Sequence, residues 1–233
     1  VGVRSPRTFV QKGEPLIVQS IGCDLDGKLI AGRTIKMRAV LMDWVFEKGQ
    51  WSQKETNPQE CEVKSADAPV ECKFETKEGG MYRVTATILD DKERADESEL
   101  TLWVAGGKVV PKRDVEQEDA SLIPDHKDYK AGDTAEVLVQ APFYPAEGVM
   151  TLRRSGIVTT ESFKMDGPSH TLKIPIKDAY TPNVYVQVDL VGAAARTDDA
   201  GKPLDKLPKR PAFAKGSLNL SVPPRARVLT VAA

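Results

Sequence analysis

The residues of this chain that could do chemistry are few, and their spacing argues against it. The two histidines, His126 in IPDHKDY and His170 in GPSHTL, are the general bases available near neutral pH. Each stands beside turn signals and outside any nucleophile motif such as Gly-x-Ser-x-Gly, so both read as surface residues. The carboxylate pairs Asp90–Asp91 and Asp198–Asp199 sit in polar turn sequence with no apolar setting to raise a pKa, and read as solvated loops. DLDG, from Asp24 to Gly27, begins like a calcium loop. Lys28 then occupies the fifth position, the glycine comes two places early and no glutamate closes the loop, so a β-turn between strands is expected instead. The chain therefore reads as no enzyme, with no catalytic residue, no metal site and no cofactor.

Cysteine usage bears on compartment. Cys61 and Cys72 lie in ECEVKSADAPVEC, where two alternating stretches flank a turn-rich centre. They are placed to face each other across a hairpin, which predicts a cross-strand disulfide. Closing so short a loop contributes up to about 3 kcal/mol on the chain-entropy model. The competing reading is a reduced pair in a cytosolic protein. Cys23 is left over, as a strand residue and not a nucleophile. A metal site built on the three cysteines would want more histidines than the chain has.

What positions these residues is a chain of 233, with 33 basic against 34 acidic residues and a net charge of −1. There is no overall field to concentrate nucleic acid or an anionic membrane. No apolar run approaches the roughly 20 residues of a membrane span, and Val1 opens on polar sequence without a signal-like apolar segment, as in a soluble chain that is mature or cut from something longer. The apolar period is two almost throughout. PLIVQSIG, RTIKMRAVLMDWVF, ECKFE, YRVTATILD and SELTLWVAG read as strands in the first half. DTAEVLVQAPF, GVMTLRRSG, ESFKMDG, HTLKIPI, NVYVQVDLVG and GSLNLSV follow in the second, and RVLTV starts something further on.

The halves also correspond in order. KGEPLIVQ from Lys12 matches AGDTAEVLVQ from Ala131, YRVTATILD from Tyr82 matches VYVQVDLVG from Val184, and SELTLWV from Ser98 matches GSLNLSV from Gly216. Between them, Gly106–Asp119 carries two glycines, a proline and a switch from basic to acidic residues, a linker composition suited to a hinge. The expected fold is all-β: two tandem antiparallel β-sandwiches of immunoglobulin or fibronectin-III type, over 1–107 and 119–233, joined by a linker at 108–118, with the last residues entering a further domain.

Three features carry sharper alternatives. Pro203–Gly216 (PLDKLPKRPAFAKG) reads as a long exposed loop, a mobile connection or a protease-accessible or partner-binding segment, with Lys206, Lys209 and Arg210 as its basic residues. Trp44, Trp51 and Trp103 read as core or rim packing before they read as a ligand surface. Tyr82, following EGGM at a strand start, suits a corner tyrosine whose hydroxyl bonds back to the turn.

LIPDHKDYKAGDTAEVLVQAPF, then GVMTLRRSGIV, KIPIKDAYTPNVYVQVDLVGAAA and AKGSLNLSVPPRARVLTV, resemble in order the macroglobulin-like domain of bacterial-type alpha-2-macroglobulins. The matching positions are Pro124, Asp125, Tyr129, Gly132, Asp133, Thr134, Pro142, Phe143, the strand Pro182–Val188 and the closing Leu229–Val231. EGGMYRVTATILDDKERADESELTLWVAGG resembles the preceding domain of that family. The resemblance implies two macroglobulin-like domains upstream of a bait region, as a scaffold fragment of a broad-spectrum endopeptidase inhibitor that traps proteases after bait cleavage. Its partners would be other domains of the same large chain and, through the full-length parent, target proteases. Nucleic acid is not among them, and a membrane enters only through an anchor elsewhere in the parent. The parent would be periplasmic or extracellular, with room for lipoprotein anchoring. Cys-x-Glu-Gln, the thioester motif, is absent from all three cysteines. The bait is expected beyond Val231, with the Lys206–Arg210 segment a lesser candidate. An immunoglobulin-like adhesion or ligand-binding module, and more weakly a carbohydrate-binding accessory, are the other readings of the same sandwiches.

Overall fold

A computed structural model describes residues 1–47, 50–107, 118–198 and 203–224. The chain divides into two compact units, Val1–Gly107 and Lys108–Ala233. Apart from Glu118, the segment expected to be a linker lies outside the described residues.

The first unit runs β1 (Gly2–Arg4), β2 (Phe9–Val10), β3 (Leu16–Ile21), β4 (Thr34–Glu47), β5 (Gln50–Lys64), β6 (Val70–Phe74), β7 (Gly80–Leu89) and β8 (Ala95–Val104). A three-stranded sheet, β1-β3-β6, faces a five-stranded one, β2-β8-β7-β4-β5. Alternation decides what lies between them. Leu16, Val18 and Phe74 point in from one sheet, and Ile35, Met37, Tyr82, Val84 and Leu102 from the other, all buried in one cluster. The Tyr82 hydroxyl donates to the Glu78 carbonyl at 3.0 Å, the corner bond its position predicts. β5 is the strand that hydrophobic patterning misses. It is polar because it is an edge strand, and its register shifts between Ala39 and Leu41 of β4, opposite Asn57 (φ 49°) and Pro58. Such a bulge blunts an edge against further pairing.

The second unit runs β9 (Glu118–Asp119), β10 (Ser121–Pro124), β11 (Thr134–Gln140), β12 (Ala146–Arg153), β13 (Ile157–Met165), β14 (Ser169–Pro175), a 3-10 turn at Asp178–Tyr180, β15 (Asn183–Ala194) and β16 (Arg210–Ser221). Its sheets are β10-β11-β14 and β13-β12-β15-β16-β9. Val137, Val139, Leu172 and Ile174 meet Met150, Leu152, Val186, Val188 and Leu220 in its core.

Strand for strand the units repeat one plan. β3 and β11 are the central strands of the small sheets, β7 and β15 of the large ones. In each, the chain leaves the small sheet and runs parallel to the last strand of the large sheet, through Phe9 beside Trp103 in one and Asp128 beside Ser221 in the other. It then turns on a positive-φ glycine, Gly13 or Gly132, whose N–H donates to Thr76 or Ile176.

Two expectations are corrected here. Arg210–Gly216 is not loop: it is the first half of β16, because Ala212 and Ala214 alternate inward as small core residues. Trp44 is not core-packed but 41% exposed, on a part of β4 that runs past the end of β7. Trp103 is half-buried on the outer face between the core residues Leu102 and Val104, a rim position as expected. The Trp51 side chain lies outside the described residues.

Candidate functional site

The residues that carry the family-like signature converge on one corner of the second unit. Pro124 ends β10, so the next residue, Asp125, turns inward and is buried. Its Oδ1 accepts from the Tyr129 hydroxyl at 2.7 Å and from the Glu136 N–H of β11 at 2.9 Å. Its Oδ2 lies 2.7 Å from His126 Nδ1, while the His126 backbone N–H donates to the Tyr129 oxygen at 3.1 Å. Lys130 N–H donates to the Asp133 carboxylate at 2.9 Å, closing the turn that leads into β11.

Asp, His and Tyr in contact have the composition of a catalytic relay, and here their contacts tie one chain segment to another. Burial drives the Tyr129 pKa well above the ordinary phenol value, and its proton is committed to Asp125. The only half-exposed member is His126, which caps the carboxylate from the solvent side. A buried hydroxyl with a raised pKa, donating to a carboxylate that also accepts from the Glu136 N–H and faces His126, fastens the crossing segment to β11.

His170 is not a free surface residue. The turn before it ends at Pro168, so it already lies in β14, where it stacks on Phe163 of β13 with centroids 4.9 Å apart and planes 19° from parallel. Burial lowers its pKa, against an opposing pull from Asp166.

Cys61 and Cys72 form a disulfide, with Cα atoms 6.1 Å apart. Cys61 stands in β5 and Cys72 in β6, which belong to different sheets, so the bond staples the sandwich across its open flank and not across a hairpin. The reason is that β6 crosses over after the SADAP turn to pair with β3. Cys23 is an exposed free thiol in an isolated bridge to Leu29, outside the named strands. The intervening DLDG is a turn, in which the Asp24 carboxylate accepts from the Asp26 and Lys28 N–H groups at 3.0 and 2.9 Å.

The basic segment divides. Lys206 and Lys209 are exposed around a turn closed by Leu207 N–H to Leu204 O. Arg210 is not part of that loop. It begins β16, is partly buried, and its guanidinium pairs with the buried Glu118 of β9, the strand that runs parallel to β16. Among the described residues no group of His, Cys, Asp or Glu could hold a metal, and no helix is long and apolar enough to cross a membrane.

Residues 120–233, the span that begins at this corner, match the family model of the alpha-2-macroglobulin bait region domain. The chain is therefore similar to alpha-2-macroglobulins, most clearly over that span. A curated relative, the alpha-2-macroglobulin homolog of a Nostoc species, is 25% identical over 217 residues, covering 89% of this chain and 11% of the relative. Among solved structures, native Escherichia coli alpha-2-macroglobulin is similar at 19% identity and a TM-score of 0.37, over 92% of this chain and 13% of that one. Salmonella alpha-2-macroglobulin reacted with methylamine is similar at 19% identity and a TM-score of 0.34, over 93% and 13%. The chain thus spans about a tenth of the length of this curated relative. The Asp125–Tyr129 corner stands at the head of the matched span.

Proposed function

We propose that this chain is a non-catalytic scaffold segment of a bacterial alpha-2-macroglobulin that traps proteases after its bait is cut. The observation that carries this reading is the use to which the matched span puts its own signature residues. Asp125, Tyr129 and Asp133 are spent on hydrogen bonds within one sandwich. The capture chemistry belongs to another part of the parent, since no cysteine here begins Cys-x-Glu-Gln. The cut segment is placed beyond Val231, with the exposed turn of Lys206 and Lys209 as the lesser candidate. The partners are other domains of the parent and, through it, target proteases; nucleic acid is not one, and a membrane is reached only by an anchor elsewhere. A periplasmic or extracellular site accords with the Cys61–Cys72 disulfide, which an oxidising compartment maintains.

The test is inhibition of several proteases by the isolated chain and by the full-length parent, with the parent's mass and its methylamine-modified peptide mapped. Inhibition by the parent alone supports the scaffold reading; inhibition by the isolated chain overturns it. An adhesion or ligand-binding module is the second reading, and its support is the half-exposed pair Val191 and Phe213, opposed on β15 and β16. A parent no larger than this chain's 25.5 kDa would move that reading to first place.

A further inference from the structure

The first unit carries an exposed tryptophan on a part of β4 that runs past the end of β7. β4 pairs with β7 only as far as Met42, opposite Met81, whereas its pairing with β5 continues to Glu47 opposite Gln50. Asp43–Glu47 and Gln50–Lys54 therefore form a two-stranded ribbon beyond the end of the large sheet. Such ribbons are marginal in water without a third strand or a layer to pack on. Alternation gives this one two unlike faces. Asp43, Val45 and Glu47 share one side with Ser52 and Lys54, and Glu47 pairs with Lys54 across it. Met42, Trp44 and Phe46 share the other with Gln53 and Glu55, continuing a row that begins on the sheet with Trp103 and Met81. Trp44, at the centre of that stripe, is 41% exposed.

We propose that the Met42–Trp44–Phe46 face of this ribbon is the seat of another domain of the longer parent chain. The proposal rests on the scaffold reading, in that it needs a parent. Three observations select this occupant. On its sheet side the stripe is bordered by Arg38 and Arg83 paired with Glu55, and a charged border beside an aromatic and methionine centre is the anatomy of a protein interface and not of a lipid-inserted tip. The bulge at Asn57–Pro58 blunts the β5 edge against strand pairing with a second copy. A domain tethered in the same chain, at an effective concentration in the mM range, also needs less contact area than a free partner. The chain covers only 11% of its curated relative, so the relative has ample chain to supply such a domain.

The experiment compares the 233-residue chain with the full-length parent by hydroxyl-radical footprinting of Trp44 and hydrogen exchange of residues 43–47 and 50–54. The expected result is about tenfold protection of both in the parent, with no protection in the isolated chain at low or high concentration. In the parent, Trp44→Ser should return the ribbon amides to the isolated chain's rates, while leaving the isolated chain's Tm unchanged. Equal reactivity in both proteins overturns the proposal. So does protection of the isolated chain that grows with concentration, which would indicate a second copy, or protection that appears only with anionic phospholipid vesicles, which would indicate a membrane. Failure of the scaffold reading is separate: it would appear as protease inhibition by the isolated chain, whatever Trp44 does.

Discussion

The ring of Phe163 lies flat on His170, and the contact ties the edge strand of one sheet to the edge strand of the other. In the first unit the Cys61–Cys72 disulfide ties the equivalent edges, one rung away. Cys61 is opposite Met37 and Met37 opposite Ala86, just as Glu161 is opposite Met150 and Met150 opposite Val188. Val63 and Val70 thus hold the positions of Phe163 and His170. One plan has closed the same open flank twice, once with a covalent bond and once with a stack.

The stack makes the second unit sensitive to acid. Burial lowers the folded-state pKa of His170, so the unfolded chain, titrating near pH 6.5, takes up its proton first as pH falls. Stability from this group is complete above that pH, is lost as pH falls below it, and levels off once the folded group has also titrated. Hydrogen exchange of β13 and β14 between pH 8 and 5 should show this loss, and His170→Gln should flatten it. An unchanged profile in the variant would put the acid sensitivity elsewhere. Tryptophan fluorescence is the wrong readout, because all three tryptophans lie in the first unit.

That same restriction makes fluorescence the right readout for the disulfide. Residues 61 and 72 are 11 apart in sequence, and opening so small a loop should cost about 3 kcal/mol on the chain-entropy model. Mild reductant should lower the urea midpoint of the tryptophan-reported transition and leave exchange in β11 and β15 unchanged. A parallel loss in both units would mean that they unfold as one.

Gly148 is the space into which the Phe163 ring folds. A Cβ built there would lie 2.4 Å from Phe163 Cζ, where the first unit instead has the core residue Ile35. Gly148→Ala should push the ring off His170 at a cost of about 1–3 kcal/mol. The His170 pKa measured by NMR should then rise toward that of a free histidine. A pKa that stays low would mean that the ring is not what desolvates it.

Much of this was legible in the sequence, and the rest was hidden for identifiable reasons. Strand order, the internal repeat and the Tyr82 corner all follow from period-two alternation and turn residues. β5 was hidden because an edge strand with a bulge need not be apolar. The start of β16 was hidden because Ala212 and Ala214 are too small to mark a core strand, so Arg210 read as loop. The Cys61–Cys72 pair was readable, but not the strands it joins, since spacing says nothing about which sheet β6 enters. Asp125 and Tyr129 were visible as a pattern, while their hydrogen bond was not. Phe163 and His170 meet across two sheets, and alternation within a strand carries no information about such partners.

The pairing of Arg210 with Glu118 supplies the last prediction. Glu118 is almost wholly buried beside β16, and a buried carboxylate that loses its partner pays for its desolvation without recompense. Arg210→Ala should therefore destabilise the second unit by about 3 kcal/mol, near the lower end for a broken buried pair because the guanidinium keeps some solvent contact. Arg210→Ala with Glu118→Gln should recover part of that loss, since the amide leaves no buried charge. A double-mutant cycle read by hydrogen exchange of β16 separates the outcomes. A coupling near zero would return Arg210 to the exposed basic segment with Lys206 and Lys209. A large coupling would fix it as the residue that holds β9 against the last strand, at the point where the matched domain begins.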